Sequence, residues 1–141
     1  MYSASELFRQ AYSTSLGVRV AEIEVLGWVD GDTVDTKLDI GWGIVLVPRT
    51  GEKAKGPARL RIVAADGGKF DTPELKDEPA RAKAATNAAA CLLPPGSRAP
   101  IVSYGLDVFG RTLAAVQLPG CRDLASVMTA LGHIKHHSGT P

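Results

Sequence analysis

The 141-residue sequence contains few cysteines, few aromatic residues and almost no net charge. Its two cysteines, Cys91 and Cys121, have neither the spacing of a metal site nor the number needed for a disulfide framework. Because Cys91 lies in the apolar run AAACLL, we expect it to be a small core residue. A formal charge of +1 gives no sign of the strongly basic balance typical of many nucleic-acid-binding domains. No apolar run is long enough to span a membrane, so no membrane partner is expected.

The first residues, MYSASELFRQAY, lack the basic and then apolar segments of a secretory signal, which predicts either a cytoplasmic protein or a chain that has been processed or trimmed. Ser3 and Glu6 have the spacing of a capping box, so we expect a short helix from Ser3 to about Tyr12. A hydrophobic fraction of 45% over this length is typical of one globular domain. The predicted divisions of that domain are an N-terminal extension (residues 1–16), a barrel with helices (17–133) and a loose tail (134–141).

Alternating apolar and polar residues predict several short strands, and capped segments predict two further helices. The strands are expected at residues 18–29, 33–40, 44–47, 59–65, 99–106 and 112–118, with a bulge near Ala21-Glu22. The helices are expected at residues 77–93 and directly after Asp123. This order predicts a mainly β protein with helices (α+β), a five-stranded OB-fold-type β-barrel with two or three packed helices. An open α+β sheet is the alternative.

Charged residues that could support chemistry lie in three separate turns, at residues 30–34, 59–75 and 107–111. Carboxylates from two different turns can hold a hard divalent cation such as Ca²⁺, and a further carboxylate can activate a water. Arginines provide forked donors for phosphate oxygens. The candidate residues are Asp32, Arg61, Asp71, Glu74 and Arg111. If these turns converge, they form a phosphodiester-cleaving site; if they do not, they are solvated charges on a sheet edge.

A basic stretch precedes the second of these turns and contains Glu52 as its only acid. Its cations are Arg49, Lys53, Lys55, Arg59 and Arg61. Clustered cations of this kind suit a polyanion such as DNA or RNA, although for this stretch taken alone a flexible solvated loop is the better interpretation.

The sequence resembles the staphylococcal-nuclease-like (thermonuclease) family. WVDGDTVDTKLDIG, RLRIVAAD…DTPEL, DVFGRTLAAV and DLASVMTALG stand in the order of that family, from about Val18 to Gly132. The WGI stretch and the long basic loop are more similar to phage and actinobacterial versions than to the secreted type. The resemblance implies a five-stranded barrel with packed helices. It also implies a Ca²⁺-dependent nuclease that acts on DNA and RNA and leaves 5′-hydroxyl and 3′-phosphate ends.

The resemblance also implies a role for each candidate residue. The implied Ca²⁺ ligands are Asp32, Asp71 and the carbonyl of Thr33. Glu74 would be the general base, or would position the attacking water. Arg111 would contact the phosphate and favour departure of the leaving group, and Arg61 would clamp the phosphate as charge builds up.

The sequence departs from the family pattern between the strand arginine and the DTPE turn. Four residues, Gly67 to Phe70, are inserted there, so Asp66 competes with Asp71 for the ligand position. We prefer Asp71, since Pro73 fixes its spacing to Glu74. Arg59 similarly competes with Arg61, one pleat repeat away on the same strand face.

The turn at residues 107–111 carries Val108 and Phe109 where related nucleases often have Lys and Tyr. Two polar nucleotide contacts would be lost, while base stacking by Phe109 stays available. Asp30 is expected either to shape its turn or to order water around the cation. Trp28 and Trp42 are expected to pack in the core or at the rim of the barrel.

Two non-enzymatic functions remain open at this stage. The barrel could be a catalytically weak or inactive module that binds nucleic acid or a partner, or an assembly protein; no obligate protein partner is inferred. The histidines of the tail, His133, His136 and His137, could form a metal cluster, but a mobile exposed tail is the better interpretation.

Overall fold

The structure, a computed structural model, describes residues 19–135. The expected helix at Ser3–Tyr12 and the histidines 136 and 137 lie outside the described residues. The elements in chain order are β1 (Arg19–Asp30), β2 (Thr33–Gly41), β3 (Ile44–Leu46), β4 (Arg59–Ile62), α1 (Pro79–Leu92), β5 (Arg98–Leu106), β6 (Thr112–Leu118), β7 (Arg122–Asp123) and α2 (Leu124–Ala130).

Five strands close into a barrel. β1 pairs antiparallel with β2 and β5, β2 with β4, and β5 with β6, and a parallel pairing of β4 with β6 completes the circuit. The short strands β3 and β7 extend from β2 and β6, outside this circuit. Closure pairs both edges of the five barrel strands. The predicted fold class, an OB-fold-type barrel with packed helices, is therefore confirmed.

The barrel interior is filled by the apolar face of each strand, as the alternation predicted. Its largest fully buried apolar side chains are Ile23, Val25, Val34, Leu60, Ile62, Ile101, Val116, Leu124 and Met128. Each burial of this kind contributes about 1.5–3 kcal/mol relative to an exposed side chain. Arg59 and Arg61 alternate with Leu60 and Ile62 on β4, so the same pattern that fills the core turns both guanidiniums outward.

The bulge in β1 lies later than expected. Glu22 to Val25 pair regularly with β2, and the register shifts between Val25 and Gly27, so that Leu26 is skipped. A second shift lies between Trp28 and Asp30. The predicted bulge near Ala21-Glu22 is therefore wrong. Bulges bend and twist a strand, and these two occur directly before the turn that carries Asp32.

The two helices of the described part pack on the barrel through small or apolar faces. α1 begins with Pro79, where a missing backbone donor costs little, and buries Ala82, Ala85 and Ala89. α2 has the predicted cap, because the Asp123 side chain accepts a hydrogen bond from the backbone N–H of Ser126. Such a cap contributes about 1 kcal/mol.

Several residues expected in the core are exposed. Cys91 lies off the buried alanine face of α1 and is exposed, so its expected core position is wrong. Trp42 is 99% exposed at the tip of the β2–β3 hairpin, with a φ of 59°, and its expected packing is also wrong. Trp28 does pack against the core, and its Nε1 donates to the Leu93 carbonyl at 2.9 Å. Among residues 19–135, no helix combines the length and the apolar character needed to cross a bilayer.

Candidate active site

Residues from all three turns line one cavity of about 640 Å³. Those predicted from the sequence are Asp32, Thr33, Arg61, Asp71, Glu74 and Arg111. They come from the β1–β2 turn, from β4, from the loop before α1 and from the β5–β6 turn. One face of α1 completes the wall of the cavity.

Asp32 is the most buried acid of this cavity. Its Oδ2 accepts from the backbone N–H of Thr72 at 3.0 Å and lies 2.8 Å from Arg61 Nη1, and its Oδ1 accepts from the Thr33 hydroxyl at 3.1 Å. Burial alone would raise the pKa of Asp32. The hydrogen bond from Asp30 and the charge of Arg61 outweigh burial and lower the pKa below its usual value. Asp32 is therefore held as a carboxylate.

Asp30 lies beside Asp32 and has the opposite electrostatic behaviour. Its Oδ1 accepts from the Asp32 backbone N–H at 3.1 Å. Burial, followed by the side chain and the charge of Asp32, raises the pKa of Asp30 to about 6. Two neighbouring acids, Asp30 and Asp32, thus line the cavity, and Asp30 holds its proton more tightly than an ordinary aspartate does.

Arg61 bridges the two carboxylates that the sequence assigned to a metal. Its Nη1 lies 2.8 Å from Asp32, and its Nη2 donates to Asp71 Oδ1. Lys69 lies 3.3 Å from the other oxygen of Asp71. Both carboxylates therefore face the same guanidinium, although they lie 39 positions apart in the sequence.

The inserted residues 67–70 form a closed loop that leaves Asp71 at the cavity. Ala64 and Gly68 are joined by a backbone hydrogen bond of 2.8 Å, and Gly67 donates back to the Ala64 carbonyl. Phe70, the last inserted residue, is 4% exposed and anchors the loop in the core. Asp66 instead caps the loop by accepting from the Gly68 N–H at 2.8 Å, and it does not line the cavity.

Arg59 is engaged elsewhere. It forms a two-pronged ion pair with Asp35, with Nε–Oδ1 at 2.7 Å and Nη2–Oδ2 at 3.0 Å. The hydrogen bond to Asp35 raises the pKa of Arg59 above its usual value. Arg59 does not line the cavity, so the structure places Arg61 there and not its competitor.

Glu74 lies at the open side of the cavity and is 44% exposed. Its Oε1 accepts from Lys135 Nζ at 3.0 Å, and its Oε2 lies 3.7 Å from Lys76 Nζ. The hydrogen bond and charge of Lys135 lower the pKa of Glu74. The carboxylate is thus ionised and accessible to water.

The β5–β6 turn holds Arg111 in a fixed orientation. Asp107 Oδ1 accepts from the backbone N–H groups of Phe109 and Arg111, both at 2.9 Å, and its Oδ2 accepts from Arg111 Nε at 2.7 Å. The guanidinium carbon of Arg111 lies 5.3 Å from the centre of the Phe109 ring. Phe109 is itself exposed, as base stacking would require, but it does not line the cavity.

Two parts of the site were missed by sequence reasoning. Lys83, Thr86 and Asn87 line the cavity from α1. Their i, i+3, i+4 spacing places them on one helix face, but nothing in the sequence shows which face meets the site. Within residues 19–135, Lys83 forms no ion pair, whereas Arg61 and Arg111 are both paired. Lys135 was also missed, since it lies in the segment expected to be loose.

The cavity contains oxygen donors of the type that a hard cation takes. The carboxylates of Asp32 and Asp71 are oxygen donors of the kind that Ca²⁺ prefers. The charged residues that line the cavity are four acids, Asp30, Asp32, Asp71 and Glu74, and three bases, Arg61, Lys83 and Arg111. Ca²⁺ takes about six to eight oxygens, so water and substrate oxygens would complete the set. Within residues 19–135, no group of three or more acidic, histidine or cysteine side chains is arranged to hold a metal. His133 therefore belongs to no metal cluster among these residues.

Comparison with known proteins adds no assignment. A scan of the chain against protein-family models gives no match. A search of curated proteins gives no significant match. The observations that bear on the function of this protein are therefore its motifs and the cavity that they line.

Proposed function

We propose that this protein is a metal-dependent nuclease that hydrolyses phosphodiester bonds of DNA, RNA or both. One observation carries the proposal: five charged residues from separate chain segments, identified by motif alone, line one cavity. They are Asp32, Arg61, Asp71, Glu74 and Arg111. A surface of unrelated solvated charges would not be expected to converge in this way.

The metal site of the proposal uses Asp32 and Asp71, with the carbonyl of Thr33. A bound Ca²⁺ would supply Lewis-acid polarisation of the scissile phosphate. Asp32 is well suited to this task, because Thr72 and Thr33 fix its orientation, while the hydrogen bond from Asp30 and the charge of Arg61 keep it ionised. Arg61 neutralises the same two carboxylates in the structure. With these acids neutralised by a cation, the guanidinium is available to donate to phosphate oxygens.

The chemical step of the proposal is an attack of water on phosphorus. Glu74 accepts the proton from this water, and the bond from phosphorus to the 5′ oxygen breaks, leaving a 3′-phosphate. The departing 5′ oxygen takes up a proton from bulk water to become a hydroxyl. Arg61 and Arg111 stabilise the negative charge that builds up on the phosphoryl oxygens. Lys83, which has no partner among the described residues, adds positive charge for the incoming backbone.

A digestion assay with Glu74→Gln tests this proposal. Plasmid and single-stranded DNA or RNA are incubated with Ca²⁺ and then with chelator. We expect metal-dependent cutting that falls by about 10²–10⁴-fold in Glu74→Gln, the range for loss of a general base. Glu52→Gln is the matched control, since Glu52 lies in an exposed loop outside the cavity. Unchanged activity in folded Glu74→Gln would remove the proposed base, and the absence of cutting by the wild type would remove the enzyme.

A binding module is the second candidate function. The observation that favours it is the Arg61 bridge, which occupies both metal-binding carboxylates with an internal cation. In that case the protein binds nucleic acid in a salt-sensitive manner, with or without Ca²⁺, and leaves the strand intact.

A further inference from the structure

The segment that follows α2, residues 132–135, is fastened to α1 and to the loop that carries Asp71 and Glu74; we call it the C-terminal strap. Arg81 of α1 holds its first part. Arg81 Nη2 donates to the carbonyls of Gly132 at 3.1 Å and Ile134 at 2.8 Å, while its Nη1 donates to Glu78 at 2.6 Å. The expectation of a loose tail from Ile134 is therefore wrong for Ile134 and Lys135.

Lys135 joins the strap to the loop that carries the acids. Its backbone N–H donates to the carbonyl of Asp71 at 2.8 Å, and its Nζ donates to Glu74 Oε1 at 3.0 Å. One residue thus contacts the backbone of a candidate metal ligand and the side chain of the candidate base. These two contacts set the position of the ammonium relative to the cavity.

The Glu74 side chain needs such a support. Its backbone carbonyl is bonded to the N–H groups of Asp77 and Glu78, but its carboxylate is 44% exposed. The other nearby cation, Lys76, is 3.7 Å from Oε2 and 80% exposed, so it restrains the carboxylate weakly. The Lys135 contact engages Oε1 and leaves Oε2 for a water.

We propose that Lys135 is a positioning residue, which holds the Glu74 carboxylate with one oxygen available to the attacking water. This inference rests on the proposed nuclease function. It assigns a part of the site to Lys135, which none of the motifs includes. In the absence of Lys135, the carboxylate samples other rotamers, and fewer of them place an oxygen at the water.

The charges around Glu74 predict the accompanying change in its titration. Lys135 faces it from the strap, and Lys76 and Asp77 face it from its own loop. The other charged residues that line the cavity are Asp30, Asp32, Arg61, Asp71, Lys83 and Arg111. Because Lys135 is the main cause of the lowered pKa of Glu74, removal of its charge moves this pKa back up.

The test compares Lys135→Gln with Lys135→Arg and with Lys76→Gln as the matched control. In Lys135→Gln we expect kcat to fall about two- to fivefold, the range for loss of a partly exposed ion pair, with KM little changed. The acid limb of the pH–rate profile moves to higher pH. Lys135→Arg should retain the wild-type kcat and the wild-type position of the acid limb. Lys76→Gln should change these two quantities less than Lys135→Gln does. Thermal unfolding checks that each variant is folded.

A readout without catalysis separates this inference from the proposed function. The Glu74 carboxyl carbon is titrated by NMR in the wild type, Lys135→Gln and Lys76→Gln. We expect a higher Glu74 pKa in Lys135→Gln, and a larger change than in Lys76→Gln. An equal change in both variants, or none, overturns the inference even if the wild type cuts nucleic acid. If the wild type does not cut, the proposed function fails, and the titration still decides whether Lys135 holds Glu74.

Discussion

Gly31 lies where the turn carrying Asp32 touches both α1 and the loop carrying Asp71. A Cβ added at Gly31 would lie 2.9 Å from Ala85 Cβ and 2.9 Å from Thr72 Cγ2. Both neighbours are buried, and the Cβ of Ala85 is fixed to the helix backbone. Gly31→Ala must therefore push α1 and Thr72 away from the turn. The backbone N–H of Thr72 is the one that donates to Asp32 Oδ2, so the same displacement loosens the candidate metal ligand.

Two opposing effects determine how much Gly31→Ala changes the free energy of unfolding. Overpacking of this kind costs about 1–3 kcal/mol of unfolding free energy. Replacement of a glycine by alanine also lowers the conformational entropy of the unfolded chain, which by itself raises the free energy of unfolding by about 0.4–1 kcal/mol. We expect a net loss of about 1–2 kcal/mol, or roughly 3–10 °C in Tm for a chain of this size.

Urea unfolding of Gly31→Ala, Gly27→Ala and Gly31→Ala/Ala85→Gly measures this effect. A Cβ at Gly27 would have no heavy atom within 4 Å, so Gly27→Ala is the matched control without overpacking. The double variant removes one of the two close neighbours, so its loss should be smaller than the sum of the two single losses. Equal stability of Gly31→Ala and Gly27→Ala, or simple additivity in the double variant, would refute the close-contact argument.

Two further predictions concern the ion pairs of the site. Arg61→Gln leaves Asp32 and Asp71 without their shared cation, so metal-free stability should fall by about 1–3 kcal/mol, and Ca²⁺ should raise Tm more than in the wild type. An equal Ca²⁺ response by calorimetry would contradict the metal site. In Asp107, burial is outweighed by hydrogen bonds from Arg111 and Phe109, which lower its pKa. Its stabilisation is complete above the usual aspartate pKa and is lost below it. The stability of Asp107→Asn should therefore fall less than that of the wild type between about pH 5 and about pH 3 in urea titrations.

The barrel could be predicted from sequence because its strands bury one face each. Leu60 and Ile62 are fully buried between outward arginines, as the alternation along β4 indicated. The cap at Asp123 was predicted by the same local logic. Local patterns fail where burial is decided by a partner far away in the chain. Cys91 was expected in the core because of its apolar neighbours, yet the buried face of α1 consists of Ala82, Ala85 and Ala89.

The candidate site likewise has features that the local sequence predicts and features that depend on distant contacts. The residue types and their order were readable from the motifs, but the choice between Asp66 and Asp71 depends on how the inserted loop closes. Phe70 decides this by packing into the core, a tertiary contact with no local signal. Lys83 and Lys135 were missed for a related reason. Lys83 lines the cavity because of where α1 lies, and Lys135 contacts Glu74 because of where the C-terminal strap lies. Neither placement can be predicted from residue spacing.

The parallel pairing of β4 with β6 has a consequence for how the cavity is assembled. Arg61 pairs with Leu113, two residues beyond Arg111, so this seam of the barrel lies beside two of the candidate phosphate contacts. The partners are separated by α1 and β5, and the entropy of closing so long a loop makes such a contact slow to form. During synthesis, a ribosome-bound chain that ends within β5 has the acids of the first two turns but neither Arg111 nor the closed wall. The candidate site is therefore complete only when nearly the whole domain has emerged, and a chain truncated within β5 lacks part of it.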